Sequence, residues 1–236
     1  MREESALGNL IDGMPAPDGL LGNSRTLVER AGALGFAASF VPSVIDLRRT
    51  RVESSRERVV YINPVPGSGV DVAFAVAEAC PDLDFTFVES WTIEPTEWRA
   101  LEERASSLPN VILHRRQEDV RVIYEMASVL LVPYRWNGRP RVVLEAQDSG
   151  IPVVASRIDA LVEAVGPGGL TVPLDAPTSG WAAALHAVLD RDAYPGWCDA
   201  ARAHARRDEV SIGPTVDAFR AAVGDVIGCA STEAAR

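Results

Sequence analysis

A chain of 236 residues that is 47% hydrophobic holds enough apolar side chain for a sizeable core, which excludes global disorder. Its formal net charge of −10 argues against general nucleic-acid affinity, because that needs a basic surface to displace counterions. No apolar run approaches the ~18 residues of a membrane span. Met1-Arg-Glu-Glu4 leads into a polar, Gly- and Pro-containing stretch, unlike a secretory signal. Cys80, Cys198 and Cys229 are too widely spaced to suggest a disulfide framework or a zinc site. A cytoplasmic setting is the expectation. All 23 basic residues are Arg. Any charged side chain that meets a phosphate must therefore do so through the planar guanidinium fork.

Taken in order, residues 1–57 read as a lead-in, a short strand–helix–strand piece and a linker. Met1 to Gly19 has no hydrophobic period. Leu20 to Ser24 suits a short strand ending at a helix cap, with Ser24 capping a helix over Arg25 to Ala33. Ala38 to Val41 is another apolar run, closed by Pro42. Leu47 to Arg58 holds five Arg and little that is apolar, so an exposed linker is expected.

The main domain is expected over 58–228, with a tail at 229–236. Strands are predicted at Val59–Ile62, Phe85–Val88, Val111–Leu113, Val129–Val132, Ile151–Ala155 and Leu170–Val172. Helices are predicted at Val70–Ala79, Glu97–Ser106, Val120–Met126, Arg141–Ser149, Leu161–Val165, Trp181–Leu189, Tyr194–Arg206 and Pro214–Ile227, the last packing back toward the linker. Short apolar strands alternating with helices imply βαβ units. The fold class is α/β: a Rossmann-like parallel sheet with helices on both faces. The run from Val129 to Gly169 is its centre, since it repeats strand, loop, helix with both loops at carboxyl ends of strands. Ligands of open α/β sheets bind at such loops.

Three segments in this run carry a resemblance: Arg141-Val-Val-Leu-Glu145-Ala146, Ser149-Gly-Ile-Pro-Val-Val-Ala-Ser156 and Glu163-Ala-Val-Gly166. Asn63-Pro-Val-Pro66, followed by Gly69-Val-Asp71, adds to it. Together they resemble the donor-binding, C-terminal half of the family 4 glycosyltransferases, which have the GT-B fold of two facing Rossmann-like domains. The likeness runs from about Arg58 to Gly228 and more weakly over Leu21 to Asp46, and most of the acceptor-side domain has no counterpart here. It implies transfer of sugar from a nucleotide sugar to an acceptor whose identity the sequence does not give. It also implies retention at the anomeric carbon, with neither metal nor cofactor.

The resemblance gives Glu145 the ribose hydroxyls of the donor, a role two carboxylate oxygens suit. The plain alternative is a carboxylate favoured near a helix N-terminus. Asn137, eight residues earlier, stands where the family usually has Glu, and it keeps hydrogen bonding without the charge. Gly67-Ser68-Gly69 precedes a helix, where successive N–H groups can cradle phosphate, or it is a plain turn. Ser68 stands where the family commonly has Lys. Arg139 and Arg141 are candidates to replace that cation, with solvated arginines as the alternative. Asp159, with Ala160, stands where the family shows two glycines close to the donor sugar, and its side chain would crowd the backbone's approach. Glu163 is a further cap or contact. His114, His186 and His204 show no partner pattern. No general base is identified, because the acceptor's surface belongs to the facing domain.

Two classes of function remain open on these residues. One is an enzyme, the donor half of a glycosyltransferase completed by a partner chain or by a second copy in a homo-oligomer. The other is a non-catalytic module that binds a nucleotide or a partner chain in assembly or regulation.

Overall fold

Each βαβ unit buries its strand between helices, and the fold follows from repeating that step. The computed structural model describes residues 17–233. The expected lead-in falls mostly on residues 1–16, and the end of the expected tail on residues 234–236; both lie outside the described residues. Strand β1 (Leu20–Gly22), helix α1 (Arg25–Ala33) and strand β2 (Ala38–Phe40) form a small unit whose two strands pair in parallel. Ser24 caps α1 as its position suggests, its Oγ accepting from the Leu27 N–H at 3.2 Å.

The main sheet contains β3 (Arg58–Ile62), β4 (Phe85–Val88), β5 (Val111–His114), β6 (Ala127–Val132), β7 (Val153–Ser156) and β8 (Gly169–Val172). Its order is β5-β4-β3-β6-β7-β8, and every pair is parallel. The connecting helices are α2 (Val70–Ala79), α3 (Pro95–Ala105), α4 (Arg121–Glu125), α5 (Arg141–Asp148), α6 (Asp159–Val165), α7 (Thr178–Leu189), α8 (Tyr194–Ala205) and α9 (Ile212–Glu233). The last begins before Pro214 and continues past Ile227. All of β6 is buried, as a strand covered on both faces must be. Right-handed crossovers place helices on opposite faces on either side of β3 and β6. Helix α7 packs on α2, and α8 packs on α5. Aromatic side chains fill the β3–β4–α2 layer: Phe87 meets Tyr61 and Phe74 edge-to-face at 5.0 and 4.9 Å. Among the described residues, no helix is long and apolar enough to cross a membrane.

The segment read as an exposed linker is exposed, and it is also tied to the ends of α4 and α5. Much of its surface is exposed, yet the Ser55 N–H and Oγ both donate to the Glu125 carbonyl. The Val52 N–H donates to Ser149 Oγ at 3.1 Å. Arg51 pairs with Asp148, whose side chain is fully buried at the end of α5, and Arg206 from just beyond α8 holds the same carboxylate. An acidic residue at a helix C-terminus is unfavourable, and two guanidinium groups offset it. Ile45, Leu144, Ala205 and Val210 form a small apolar cluster beneath this clamp. The final helix approaches β1: Val226 lies against Gly19. It therefore meets the strand–helix–strand unit at that point, where the sequence suggested the linker.

Candidate functional site

Strand order reverses between β3 and β6, and in a doubly wound sheet the crevice outside their carboxyl ends is where ligands sit. A cleft of about 600 Å³ opens there. The loops after β3, β4, β5 and β6 form its walls, and the first turns of α4 and α5 close one side. Glu145, Arg139, Arg141 and Ser68 of the predicted residues line it. Gly67, Gly69, Asn137 and Asp159 do not.

Glu145 is on the second turn of α5 and only 7% exposed. Its Oε2 accepts from the Tyr124 hydroxyl at 2.8 Å, and its Oε1 lies 3.5 Å from Arg141 Nη2. Tyr124 comes from α4 and is fully buried. Burial first, and then the charge of Glu145, push its hydroxyl well above the ordinary tyrosine range. It stays a proton donor and fixes the rotamer of Glu145. The carboxylate is thus a preorganised acceptor on the cleft floor.

Arg139 is the most buried cation of the cleft, with a side chain 10% exposed. Among the described residues its ion pair is with Glu163, at 3.5 Å. Burial, followed by the nearby charge of Arg207, holds its pKa below the usual arginine value. A buried guanidinium with five donors and one long contact favours a further anion beside it. Arg141 is largely exposed, with its guanidinium 3.5 Å from Glu145. The first turn of α5, Arg141 and Val142, faces the cleft behind Pro140 and adds the partial positive charge of a helix N-terminus.

The Gly67–Gly69 turn is organised otherwise than a ready cradle. Pro66–Ser68 is one turn of 3₁₀ helix, in which the Ser68 and Gly69 N–H groups donate to Val65 and Pro66. The Gly67 carbonyl accepts from the Arg135 N–H at 3.1 Å, and the Ser68 carbonyl from Tyr61 Oη at 3.0 Å. The Arg135 bond ties the loop after β3 to the loop after β6, and the Tyr61 bond ties it to β3. Gly69 itself is left-handed, with φ of 74°.

Asn137 is committed to a neighbour as well. Helix α6 begins after Ile158, an apolar residue with no capping oxygen. The Oδ1 of Asn137 reaches across and accepts from the Ala160 N–H at 3.3 Å, acting as a cap from a different loop. Asp159 is exposed in the first turn of α6, where the helix dipole favours a carboxylate.

Several residues of the site went unnoticed in the sequence, or, for Asn63, were noticed only as part of the Asn63–Pro66 motif. Tyr124 looks like any apolar-face tyrosine, because its partner is 21 residues away. Asn63 sits at φ 68°, a conformation Asn tolerates better than most residues, and its Oδ1 accepts from the Trp91 N–H at 3.3 Å. Glu89 is 7% exposed and accepts from the Ile93 N–H at 2.9 Å and the Arg116 N–H at 3.3 Å, with Arg115 beside it at 3.4 Å. The Ile93 N–H foremost, and then the other donors, hold its carboxyl below the usual glutamate range. Trp136 stacks on Tyr134 with ring centroids 5.2 Å apart. The one available signal was position, since all but Tyr124 lie just beyond a predicted strand.

Sheet order, crevice and buried carboxylate define a doubly wound α/β domain with an open cleft at the switch point. Its residues 72–191 match the model of the glycosyl transferases group 1, and the chain belongs to that family. No curated protein matches it in sequence. Solved structures share the fold at low identity. A glycosyltransferase from Rickettsia africae superposes with a TM-score of 0.77 at 11% identity, over 94% of this chain and 67% of that one. The Anabaena protein HepE, solved with UDP and glucose, gives 0.72 at 16% identity over 92% of this chain and 65% of its own. WaaG, a glycosyltransferase involved in lipopolysaccharide biosynthesis, gives 0.67 at 16% identity over 87% and 63%. The chain thus spans about two thirds of each of these neighbours, and these structures have the GT-B fold.

Proposed function

We propose that this chain is the donor-binding half of a retaining, metal-independent glycosyltransferase acting from a nucleoside-diphosphate sugar. One observation carries the proposal: a buried carboxylate, Glu145, held by Tyr124 and Arg141 at the switch-point cleft. In this reading Glu145 accepts hydrogen bonds from the ribose hydroxyls. Arg139, Arg141 and the first turn of α5 take the diphosphate, whose charge grows as the sugar leaves. Guanidinium groups and a helix dipole then carry the charge stabilisation. Neighbours of the same fold were solved with UDP, and uridine diphosphate is therefore the first ligand to test.

In this reading the acceptor is oriented by a domain that faces the cleft. Orientation alone can account for roughly 7–11 kcal/mol of a barrier, so the domain described here transfers sugar slowly or not at all when nothing faces its cleft.

A second reading, a non-catalytic nucleotide-binding or partner-binding module, draws on Asn137 and Ser68. Asn137 is committed to capping α6, and Ser68 brings no charge to the turn after β3. A transfer assay with nucleotide sugars and acceptors, on a species sized by light scattering, separates the two readings. Transfer by any assembled species removes the second.

The binding test is calorimetry with UDP on wild type, Glu145→Ala and Glu145→Gln. Losing a charged hydrogen-bond partner should weaken binding by roughly 1.5–3 kcal/mol in the Ala variant. The Gln variant keeps an acceptor for the buried Tyr124 hydroxyl and so controls for misfolding. Equal affinity in wild type and both variants would take Glu145 out of the site.

A further inference from the structure

We propose that Trp91 is a stacking platform for the base of the bound nucleotide, an inference that rests on the nucleotide reading above. The indole is 65% exposed, an unusual exposure for so large an apolar surface on a segment this tightly fixed. The fixing is visible on both sides. Asn63 holds the Trp91 N–H, and Glu89 holds the Ile93 N–H two residues on. Glu89 also accepts from the Arg116 N–H, which locks the loop after β4 to the loop after β5. A buried polar scaffold thus presents an indole at the rim of the cleft.

The surroundings suit a flat, partly apolar group. Trp91 shares this end of the cleft with Val88, Val120 and Ile123, while Arg116 and Gln117 stand at its edge. Tyr124, next to Ile123 on α4, is the residue that holds Glu145. A ribose seated on Glu145 therefore has two directions open to it. The arginines and the first turn of α5 draw the phosphates one way. The base is left the other way, over α4 and under Trp91. Every nucleobase has a π-face, so stacking of this kind tolerates purines and pyrimidines alike, and edge groups such as Gln117 are left to discriminate.

The test compares wild type, Trp91→Phe and Trp91→Ala by calorimetry with UDP, ADP and inorganic pyrophosphate. Trp91→Ala should bind both nucleotides roughly 5- to 150-fold more weakly, the range that base–aromatic stacking supports. Trp91→Phe should keep most of the affinity, and pyrophosphate should bind all three proteins alike. UDP should also quench the tryptophan emission of wild type more than that of Trp91→Phe. The exposed position predicts unchanged melting curves. Wild-type affinity for UDP in Trp91→Ala would overturn the stacking role while leaving the nucleotide reading intact. An equal loss of pyrophosphate would also overturn it, since Trp91 would then be shaping the cleft. Failure of wild type itself to bind UDP and ADP would overturn both.

Discussion

Gly69→Ala should be among the most damaging single-methyl changes in the protein, and the structure allows the cost to be worked out. Gly69 joins the 3₁₀ turn after β3 to α2 at φ 74° and ψ 37°. A left-handed conformation costs a non-glycine residue roughly 1–2 kcal/mol. Space is the second term. A Cβ on Gly69 would lie 2.0 Å from the Pro133 carbonyl oxygen and 2.9 Å from its carbonyl carbon. Those atoms belong to the backbone just beyond β6 and cannot rotate away as a side chain would. Overpacking of this kind costs about 1–3 kcal/mol. The two together come to about 2–5 kcal/mol, a large part of the roughly 5–15 kcal/mol that stabilises a typical domain. Gly67→Ala is the internal control: its Cβ would meet only Trp136 Cδ1, at 4.0 Å. Urea denaturation of the two variants reads the difference directly. The reasoning fails if Gly69→Ala unfolds at the wild-type midpoint, or if Gly67→Ala is equally unstable.

Two further outcomes follow from buried carboxylates. Asp148→Asn places an amide between Arg51 and Arg206 where a carboxylate now accepts from both. Both guanidinium groups are about half exposed and can rehydrate, so the loss should be about 1–3 kcal/mol in thermal or urea unfolding. Glu89 sets an acid sensitivity whose sign is fixed by its depressed pKa. Its contribution is complete above the unfolded glutamate value of about 4.3 and is lost as the pH falls through the lower folded value. The melting temperatures of wild type and Glu89→Gln should therefore converge as the medium is acidified below that range, and a gap that widens instead would refute the assignment.

The parts of the fold that were legible in the sequence are those set by local burial. A strand buried on both faces has to read as a continuous apolar run, and Val129–Val132 and Val153–Ala155 do so; both are inner strands, paired in parallel. Ser24 was legible because capping spans three residues. The linker is exposed as its five arginines suggest, but its ties were not legible, for the complementary reason: Arg51 finds its carboxylate 97 residues away. Composition reports how polar a segment is, not whether distant partners satisfy it.

The same limit explains the candidate site. The place of Glu145 early in α5, at the carboxyl edge of the sheet, could be read from the sequence. Its orientation could not, because that depends on Tyr124 arriving from α4. Asn137 shows the point most clearly. The resemblance put it where the family usually has Glu, keeping hydrogen bonding without the charge. The fold uses its oxygen to complete a helix that Ile158 cannot cap. A Glu at that position would bring a charge and a longer reach, and would meet the Ala160 N–H from a different distance. The substitution therefore changes how two loops are joined as well as what they offer a ligand. Arg139 follows from it. It lies two residues beyond Asn137 in that loop, is paired with Glu163 of the α6 that Asn137 caps, and is nine-tenths buried. Glu163 in turn accepts from the first N–H of α1 at 2.9 Å. The most buried cation of the cleft is thus anchored, through one carboxylate, to the strand–helix–strand unit that precedes the main sheet. The burial of Arg139 and the contact of Glu145 with Tyr124 are set by the tertiary structure, and for that reason no local motif announced them.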